Sequence, residues 1–249
     1  GELRVSVEAC RGESDGRLVA VMSCYGYARQ DRKARPREPI AAKMVADMRT
    51  VAGASGLLTV DLHARQIPGF FDIPVDHLMA GSVLARHYAE RHFQGPDLVV
   101  VSPDLGSVAR SRSFAKKLDA PIAIIDKRRP KPNQSEVMNL IGDVAGKRAS
   151  VVDDVIDTGG TFINAAYALA DAGAKEVYGC ATHALLSGDC LERLKASPIK
   201  ELVVTNTIPL PEEKQDPMIR ILSVADLLAK GIVSICQDAP MSTMDVMDN

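Results

Sequence analysis

Short apolar runs alternate along the chain with stretches of helical spacing. Residues 57–62, 98–101, 122–125, 149–152, 176–180 and 202–205 are brief and rich in Val, Ile and Leu. Runs this continuously apolar predict strands of a sheet covered on both faces. Between them, Ile40, Met44, Val45 and Met48 recur at helical spacing, with Pro39 at the first turn and Gly53 at the end. Residues 108–118 and 161–172 predict two further helices, the latter closed by Gly173. Strand–helix–strand repetition implies right-handed crossovers and a mainly parallel sheet, hence an α/β fold. Residues 209–217, rich in Pro and Glu, read as an exposed loop, and the polar, acidic residues 240–249 as a frayed tail.

In such sheets ligands bind beyond the carboxyl ends of the strands. His63 follows the first of these strands, Asp104 the second, Lys127-Arg128-Arg129 the third and Asp153-Asp154 the fourth. Charged or polar groups at four successive strand ends are the organisation of an enzyme site rather than of a packed core.

Composition narrows the class. The chain has 249 residues, 46% hydrophobic and 25% charged, enough for one large domain or two modest ones. That balance excludes a disordered tail, a fibrous repeat and a disulfide-stapled miniprotein. Lys and Arg number 30 against 32 Asp and Glu, for a net charge of −2. Nothing global favours nucleic acid or an anionic membrane, so any basic site must be local. Residues 1–5 lack the apolar region of a signal peptide, and no uncharged run is long enough to span a membrane. The five cysteines are scattered and form no CxxC pair, which fits reduced thiols in a cytoplasmic protein and assigns them no chemistry.

The most specific stretch is Val151-Val152-Asp153-Asp154-Val155-Ile156-Asp157-Thr158-Gly159-Gly160-Thr161. An apolar strand runs into two acids, then a small-residue turn, then a helix. Gly159 and Gly160 let the backbone approach a ligand, and Thr158 and Thr161 add hydroxyls. With the helix dipole, the turn Asp157 to Thr161 makes a phosphate cradle. Asp153 and Asp154 can accept hydrogen bonds from vicinal ribose hydroxyls. The plainer alternative is an acidic N-cap with a glycine turn. In a second stretch, Arg29, Arg32, Lys33, Arg35 and Arg37 crowd positive charge into nine residues, a density that suits a polyphosphate. A nucleic-acid patch or a solvated basic loop are the alternatives there.

The first stretch resembles the phosphoribosyl-pyrophosphate (PRPP) loop of the type I phosphoribosyltransferase fold. Cys24-Tyr25-Gly26-Tyr27-Ala28-Arg29-Gln30-Asp31-Arg32-Lys33 resembles the ATP-binding segment of the ribose-phosphate pyrophosphokinase (PRPP synthetase) family. Asp61-Leu62-His63-Ala64-Arg65-Gln66, Ser102-Pro103-Asp104-Leu105-Gly106 and Ile125-Asp126-Lys127-Arg128-Arg129-Pro130-Lys131-Pro132 are also similar to that family. The likeness runs from about Leu18 to about Gln237.

The resemblance implies two tandem type I phosphoribosyltransferase-like domains with mainly parallel sheets, over residues 1–79 and 80–237, with a tail at 238–249. It implies transfer of pyrophosphate from MgATP to the C1 hydroxyl of ribose 5-phosphate. Lys127 and Arg129 would be the catalytic basic pair, on a mobile loop that Pro130 and Pro132 keep irregular. Glu2, Arg29, Gln30, Asp31 and Lys33 would bind ATP. Asp153, Asp154, Asp157, Thr158, Gly159, Gly160 and Thr161 would bind ribose 5-phosphate, and His63 and Asp104 would position Mg²⁺. The family is oligomeric, built on dimers and hexameric, so a homo-oligomer is implied, with neither nucleic acid nor membrane as partner.

The likeness is interrupted in places. Residues 1–8 resemble the end of the family's Phe-Ser-Asp-Gly-Glu segment and the strand after it. Arg11-Gly12 then matches, but the next strand and long helix have no counterpart, and residues 13–16 read as a short polar junction. Met241-Ser242-Thr243-Met244-Asp245 replaces a terminus that serves a regulatory phosphate/ADP region in the family. The first domain is therefore expected to be incomplete. Two rival functions remain: a non-catalytic subunit that regulates active synthetases, and a phosphoribosyltransferase that consumes PRPP.

Overall fold

The computed structural model describes residues 2–13, 16–128 and 137–241. They form two compact units. The first comprises residues up to Met79 together with the segment that begins at Ala225, and the second comprises Ala80–Val224.

The first unit opens with helix α1 (Glu2–Glu13), followed by strand β1 (Val19–Met22), helix α2 (Ala41–Ala52) and strands β2 (Gly56–Val60) and β3 (Val75–Leu78). The strands are parallel in the order β1-β2-β3, with Val19 opposite Gly56 and Leu57 opposite Val75. The central β2 is buried along its whole length.

Two expectations change here. Residues 2–8 are helical, not a strand. Leu3 and Val7, one turn apart, reach apolar cover in the first unit's core, while Val5 between them stays exposed. That is the periodicity of a helix face, and a helix also satisfies its backbone without a neighbouring strand. The second change is the buried face of α2. The helix exists where predicted, and Gly53 closes it with φ +101° and an N–H to Thr50 O of 3.0 Å. However, Ala41, Ala42, Ala46 and Ala52 face the core, while Met44 and Met48 are exposed. Alanine lets the helix backbone lie close to its neighbours, so the small residues rather than the large ones define the packed stripe.

The second unit begins with α3 (Gly81–Glu90). It continues with β4 (Leu98–Ser102), α4 (Val108–Lys117), β5 (Ile122–Arg128), β6 (Val137–Ile141), β7 (Arg148–Ile156), α5 (Gly160–Asp171), β8 (Glu176–Ala184), α6 (Cys190–Lys195), β9 (Ile199–Thr205) and β10 (Ile219–Leu222). Its seven strands lie in the order β10-β9-β8-β7-β4-β5-β6, with only β5 and β6 antiparallel. Side chains alternate between faces. Val99, Val101 and Val151 therefore join Phe162, Ala166 and Leu169 of α5, whereas Val100 and Val152 join Tyr88 of α3 and Phe114 of α4. This double cover is why these strands read as unbroken apolar runs. Tyr88 is fully buried, and its hydroxyl meets Ser150 Oγ at 2.7 Å.

The N-terminal rim of this sheet is charged, but its charges answer one another. Arg91 and Arg148 both lie over the Phe93 ring, at 4.8 and 4.7 Å from its centroid. Glu176 accepts from Lys200 Nζ at 2.7 Å and from the Tyr178 hydroxyl at 2.9 Å.

The last helix, α7 (Ala225–Cys236), belongs to the first unit, whereas the resemblance carries the second domain to residue 237. A Cβ on Gly231 of α7 would lie 3.0 Å from Leu78 Cδ1 and 3.1 Å from Leu58 Cδ2, a tight fit. Residues 209–217 hold one short 3-10 turn, Glu212–Lys214, in otherwise irregular chain. Of the polar tail, residues 242–249 lie outside the described residues. No helix among the described residues is long and apolar enough to cross a membrane.

A methyl group at Gly179 of β8 would lie 2.8 Å from Leu202 Cδ1 and 3.2 Å from Phe162 Cδ1. Gly179→Ala is expected to destabilise the protein by about 1–3 kcal/mol through overpacking, as read by urea denaturation.

Candidate active site

The two acids of the most specific motif lie inside β7, not beyond it. The strand runs on to Ile156 because β8 accompanies it that far, with Asp153 opposite Ala181 and Ile156 opposite Ala184. The Asp153 side chain is 14% exposed and that of Asp154 only 3%. Burying two carboxylates together requires compensation. It comes mostly from α4 and the loop before it. Arg110 Nη1 lies 3.4 Å from Asp153 Oδ1 and 3.1 Å from Asp154 Oδ1. Ser107 Oγ donates to Asp153 Oδ1 at 3.0 Å, and the Asp154 N–H donates to the same oxygen at 2.9 Å. Burial, and then the neighbouring Asp154 charge, push the Asp153 carboxyl up to about 7, against the pull of Arg110.

The loop after β4 is tied to the same cluster. Asp104 Oδ1 accepts the Ser107 N–H at 2.8 Å, and Asp104 O accepts from Ser102 Oγ at 2.7 Å. Through Ser107, the Asp104 loop and Asp153 are therefore held together. Sequence reasoning had separately pointed to Asp104 and to the acid pair, but it missed Ser107 and Arg110. The only signal was their place in the loop and first turn that follow a strand end.

Beyond Ile156 the chain turns through residues 157–159 into α5. Gly159 sits at the N-cap in the left-handed region, with φ +76°. No side-chain cap closes the helix. The first N–H groups of α5 therefore face outward from its positive end, where an anion is stabilised. Asp157 is half-buried and Thr158 exposed beside this turn.

Lys127 corrects another expectation. The resemblance places residues 125–132 in an irregular loop, but Lys127 lies in β5, paired opposite Met138 of β6. The prolines begin only at residue 130, so the N–H groups before them remain available to a ladder. Arg129 and the rest of the expected loop, to Pro132, lie outside the described residues.

In the first unit, the basic segment is anchored by Tyr25. Its ring packs edge-on against Phe71 at 5.6 Å, and its buried hydroxyl donates to Ala42 O at 2.9 Å. Gln30 O accepts the Ala42 N–H at 3.1 Å, and Asp31 accepts from the Gln66 side-chain amide. Arg29, Gln30 and Lys33 are exposed on this anchored frame. His63 is exposed just past β2, and Glu2 is exposed at the start of α1. Among the described residues, no three or more His, Cys, Asp or Glu side chains converge as a metal cage.

A parallel α/β sheet with a carboxylate pair near one strand's end and a glycine turn at a helix N-terminus is an arrangement suited to an anionic ligand such as a phosphate. Comparison with known proteins narrows the class. Residues 1–53 match the model of the N-terminal domain of ribose phosphate pyrophosphokinase, and residues 126–245 that of the phosphoribosyl synthetase-associated domain. The chain is 57% identical over 243 residues to a ribose-phosphate pyrophosphokinase of Caldanaerobacter subterraneus subsp. tengcongensis, covering 98% of this chain and 77% of that protein. It is 56% identical over 241 residues to that of Clostridium acetobutylicum, covering 97% and 76%. A phosphoribosylpyrophosphate synthetase structure from Mycobacterium smegmatis superposes with a TM-score of 0.86 at 42% identity, covering 96% of this chain and 78% of that one. The chain belongs to the ribose-phosphate pyrophosphokinase family, and its fold is type I phosphoribosyltransferase-like.

The raised carboxyl of Asp153 has a signed consequence. Between pH about 4 and about 7 the folded state holds a proton that the unfolded state has released, so this group's stabilising contribution is lost as pH rises through about 7. Asp153→Asn removes that dependence. Relative to the parent protein, the variant is expected to gain about 1 kcal/mol or more in urea-unfolding stability on going from pH 5 to pH 8.

Proposed function

We infer that this chain is a ribose-phosphate diphosphokinase. It transfers pyrophosphate from MgATP to ribose 5-phosphate, giving PRPP and AMP. The observation that carries this reading is the joint presence of the carboxylate pair and the uncapped glycine turn in a chain more than half identical to named pyrophosphokinases.

The roles follow from chemistry. The turn from Asp157 to Thr161 holds the 5-phosphate against the N-terminus of α5. Asp153 and Asp154 accept hydrogen bonds from the vicinal ribose hydroxyls and so fix the ring. The C1 hydroxyl attacks the β-phosphorus of ATP, the bond from that phosphorus to the α-phosphate oxygen breaks, and AMP departs. Glu2, Arg29, Gln30, Asp31 and Lys33 take the ATP, the basic ones meeting its phosphates. Lys127 and Arg129 offset the charge that builds on the group in flight. Such a reaction asks the protein mainly for positioning and electrostatics.

Mg²⁺ fits the donor set. It commonly takes one or two carboxylates plus the oxygens of a bound polyphosphate, so it needs no complete protein cage. Asp104 offers a hard oxygen ligand on a loop already fixed by Ser107. His63 is the second group assigned to the ion. When bound, Mg²⁺ would neutralise part of the polyphosphate charge. The same reading makes the protein a cytoplasmic homo-oligomer, its order read by light scattering.

The test is direct. Protein, ribose 5-phosphate and MgATP are mixed and AMP is followed. AMP formation that depends on ribose 5-phosphate supports the synthetase. Equal AMP with and without the sugar rejects it, and pyrophosphate release from PRPP with a nucleobase would favour a phosphoribosyltransferase instead. Co-purification with an active synthetase and no activity alone would favour a regulatory subunit. Lys127→Ala is expected to lower kcat by about 10²–10³-fold, the scale of one lost transition-state electrostatic contact, with little change in either KM.

A further inference from the structure

We propose that the segment from Leu185 to Arg193 is the mould that holds the phosphate turn in its anion-binding form, with Arg193 as its positioning residue. The inference rests on reading residues 157–161 as the 5-phosphate site. Three successive carbonyls leading into α5 are taken by this one segment. Ile156 O accepts from Leu185 N at 2.9 Å and from Leu186 N at 3.3 Å. Asp157 O accepts from Ser187 N at 3.0 Å. Thr158 O accepts from Arg193 Nη1 at 3.2 Å.

A trans peptide aims its carbonyl and the following N–H in opposite directions. Drawing the carbonyls of Ile156, Asp157 and Thr158 toward the segment turns the N–H groups of Asp157, Thr158 and Gly159 away from it. Successive N–H groups presented this way form an anion-binding nest, and the uncapped first turn of α5 extends it. Cys190 supplies the floor. It is fully buried, and a Cβ on Gly159 would lie 2.7 Å from its Sγ. Only glycine fits there, with its left-handed φ of +76°.

The bonds to Ile156 and Asp157 come from backbone N–H groups, which survive any side-chain substitution except proline. The bond to Thr158 comes from a side chain. Asp189, 3.8 Å from Arg193 Nη1 and one turn earlier, helps to aim the guanidinium. Arg193 acts through the turn and does not itself touch the sugar phosphate. Its loss should therefore weaken ribose 5-phosphate binding while sparing ATP and the chemical step.

The experiment compares Arg193→Met and Arg193→Lys with the parent protein. Because this hydrogen bond is partly exposed, Arg193→Met is expected to raise the KM for ribose 5-phosphate by about three- to ten-fold, with kcat, the KM for ATP and the melting temperature little changed. Arg193→Lys keeps a charged donor and should recover most of the loss. An unchanged KM for ribose 5-phosphate, or an equal rise in both KM values, overturns the proposal. A second readout is independent of turnover: titration with inorganic phosphate, followed through the backbone amide resonances of Gly159 and Gly160. Saturable shifts in the parent protein, weakened in Arg193→Met, support the mould, and their absence in the parent overturns it. Shifts without sugar-dependent AMP would leave the mould standing and reject the synthetase reading.

Discussion

Two carboxylates buried next to each other at the end of a central parallel strand dominate the second unit. Left alone, Asp153 and Asp154 would repel and pay a desolvation cost of several kcal/mol. The fold answers with a guanidinium, a hydroxyl and a backbone N–H, from Arg110, Ser107 and Asp154 itself. Those partners fix where α4 and the Asp104 loop must lie. Even so, burial and the neighbouring carboxylate make Asp153 keep its proton to about pH 7. The opposite rim of the sheet makes the contrast. There Glu176 and Lys200 close an ion pair, and Glu176 is drawn down to about 2 by its hydrogen bonds to Lys200 and Tyr178. One rim closes its charges in pairs, and the other buries a carboxyl that keeps its proton to about pH 7.

The turn into α5 follows from the same strand. Once β7 is carried to Ile156 by β8, the chain must reverse into a helix within three residues. The left-handed Gly159 permits that reversal, and the carbonyls released by it are gathered by the chain that leaves β8. The neighbouring strand thus both extends β7 and shapes the turn beyond it, so the carboxylates and the helix N-terminus are set by one piece of packing.

The first unit works with smaller means. Its sheet has three strands, and α2 contributes alanines to the core. The basic segment stays exposed because Tyr25 and the Gln30 carbonyl tie it down by contacts that leave Arg29 and Lys33 outward. The small core is stabilised further by α7, which returns from the end of the described chain to pack its Gly231 against Leu58 and Leu78.

The strands of residues 98–101, 149–152 and 202–205, the helices around residues 41–52 and 160–171, and the turn at Gly159 were legible in the sequence. Each rests on a local rule: apolar runs for doubly covered strands, glycine for a left-handed residue, 3.6-residue spacing for helices. The residue types at the strand ends were legible for the same reason. What the sequence could not supply was anything set by a distant neighbour. The resemblance places a strand over residues 2–8, and a helix was decided by where Leu3 and Val7 found cover. Met44 and Met48 had the right spacing for a core stripe, yet the close approach of α2 gave that place to Ala42 and Ala46. Lys127 was carried into β5 by its pairing with β6. Arg110 and Arg193 carry no motif, because their roles depend on carboxylates 43 and 44 positions away and a carbonyl 35 positions away. By itself the sequence determined the elements and the chemistry at their ends. Only the tertiary structure decided which groups meet, because a hydrogen bond between distant segments depends on packing that no local pattern encodes.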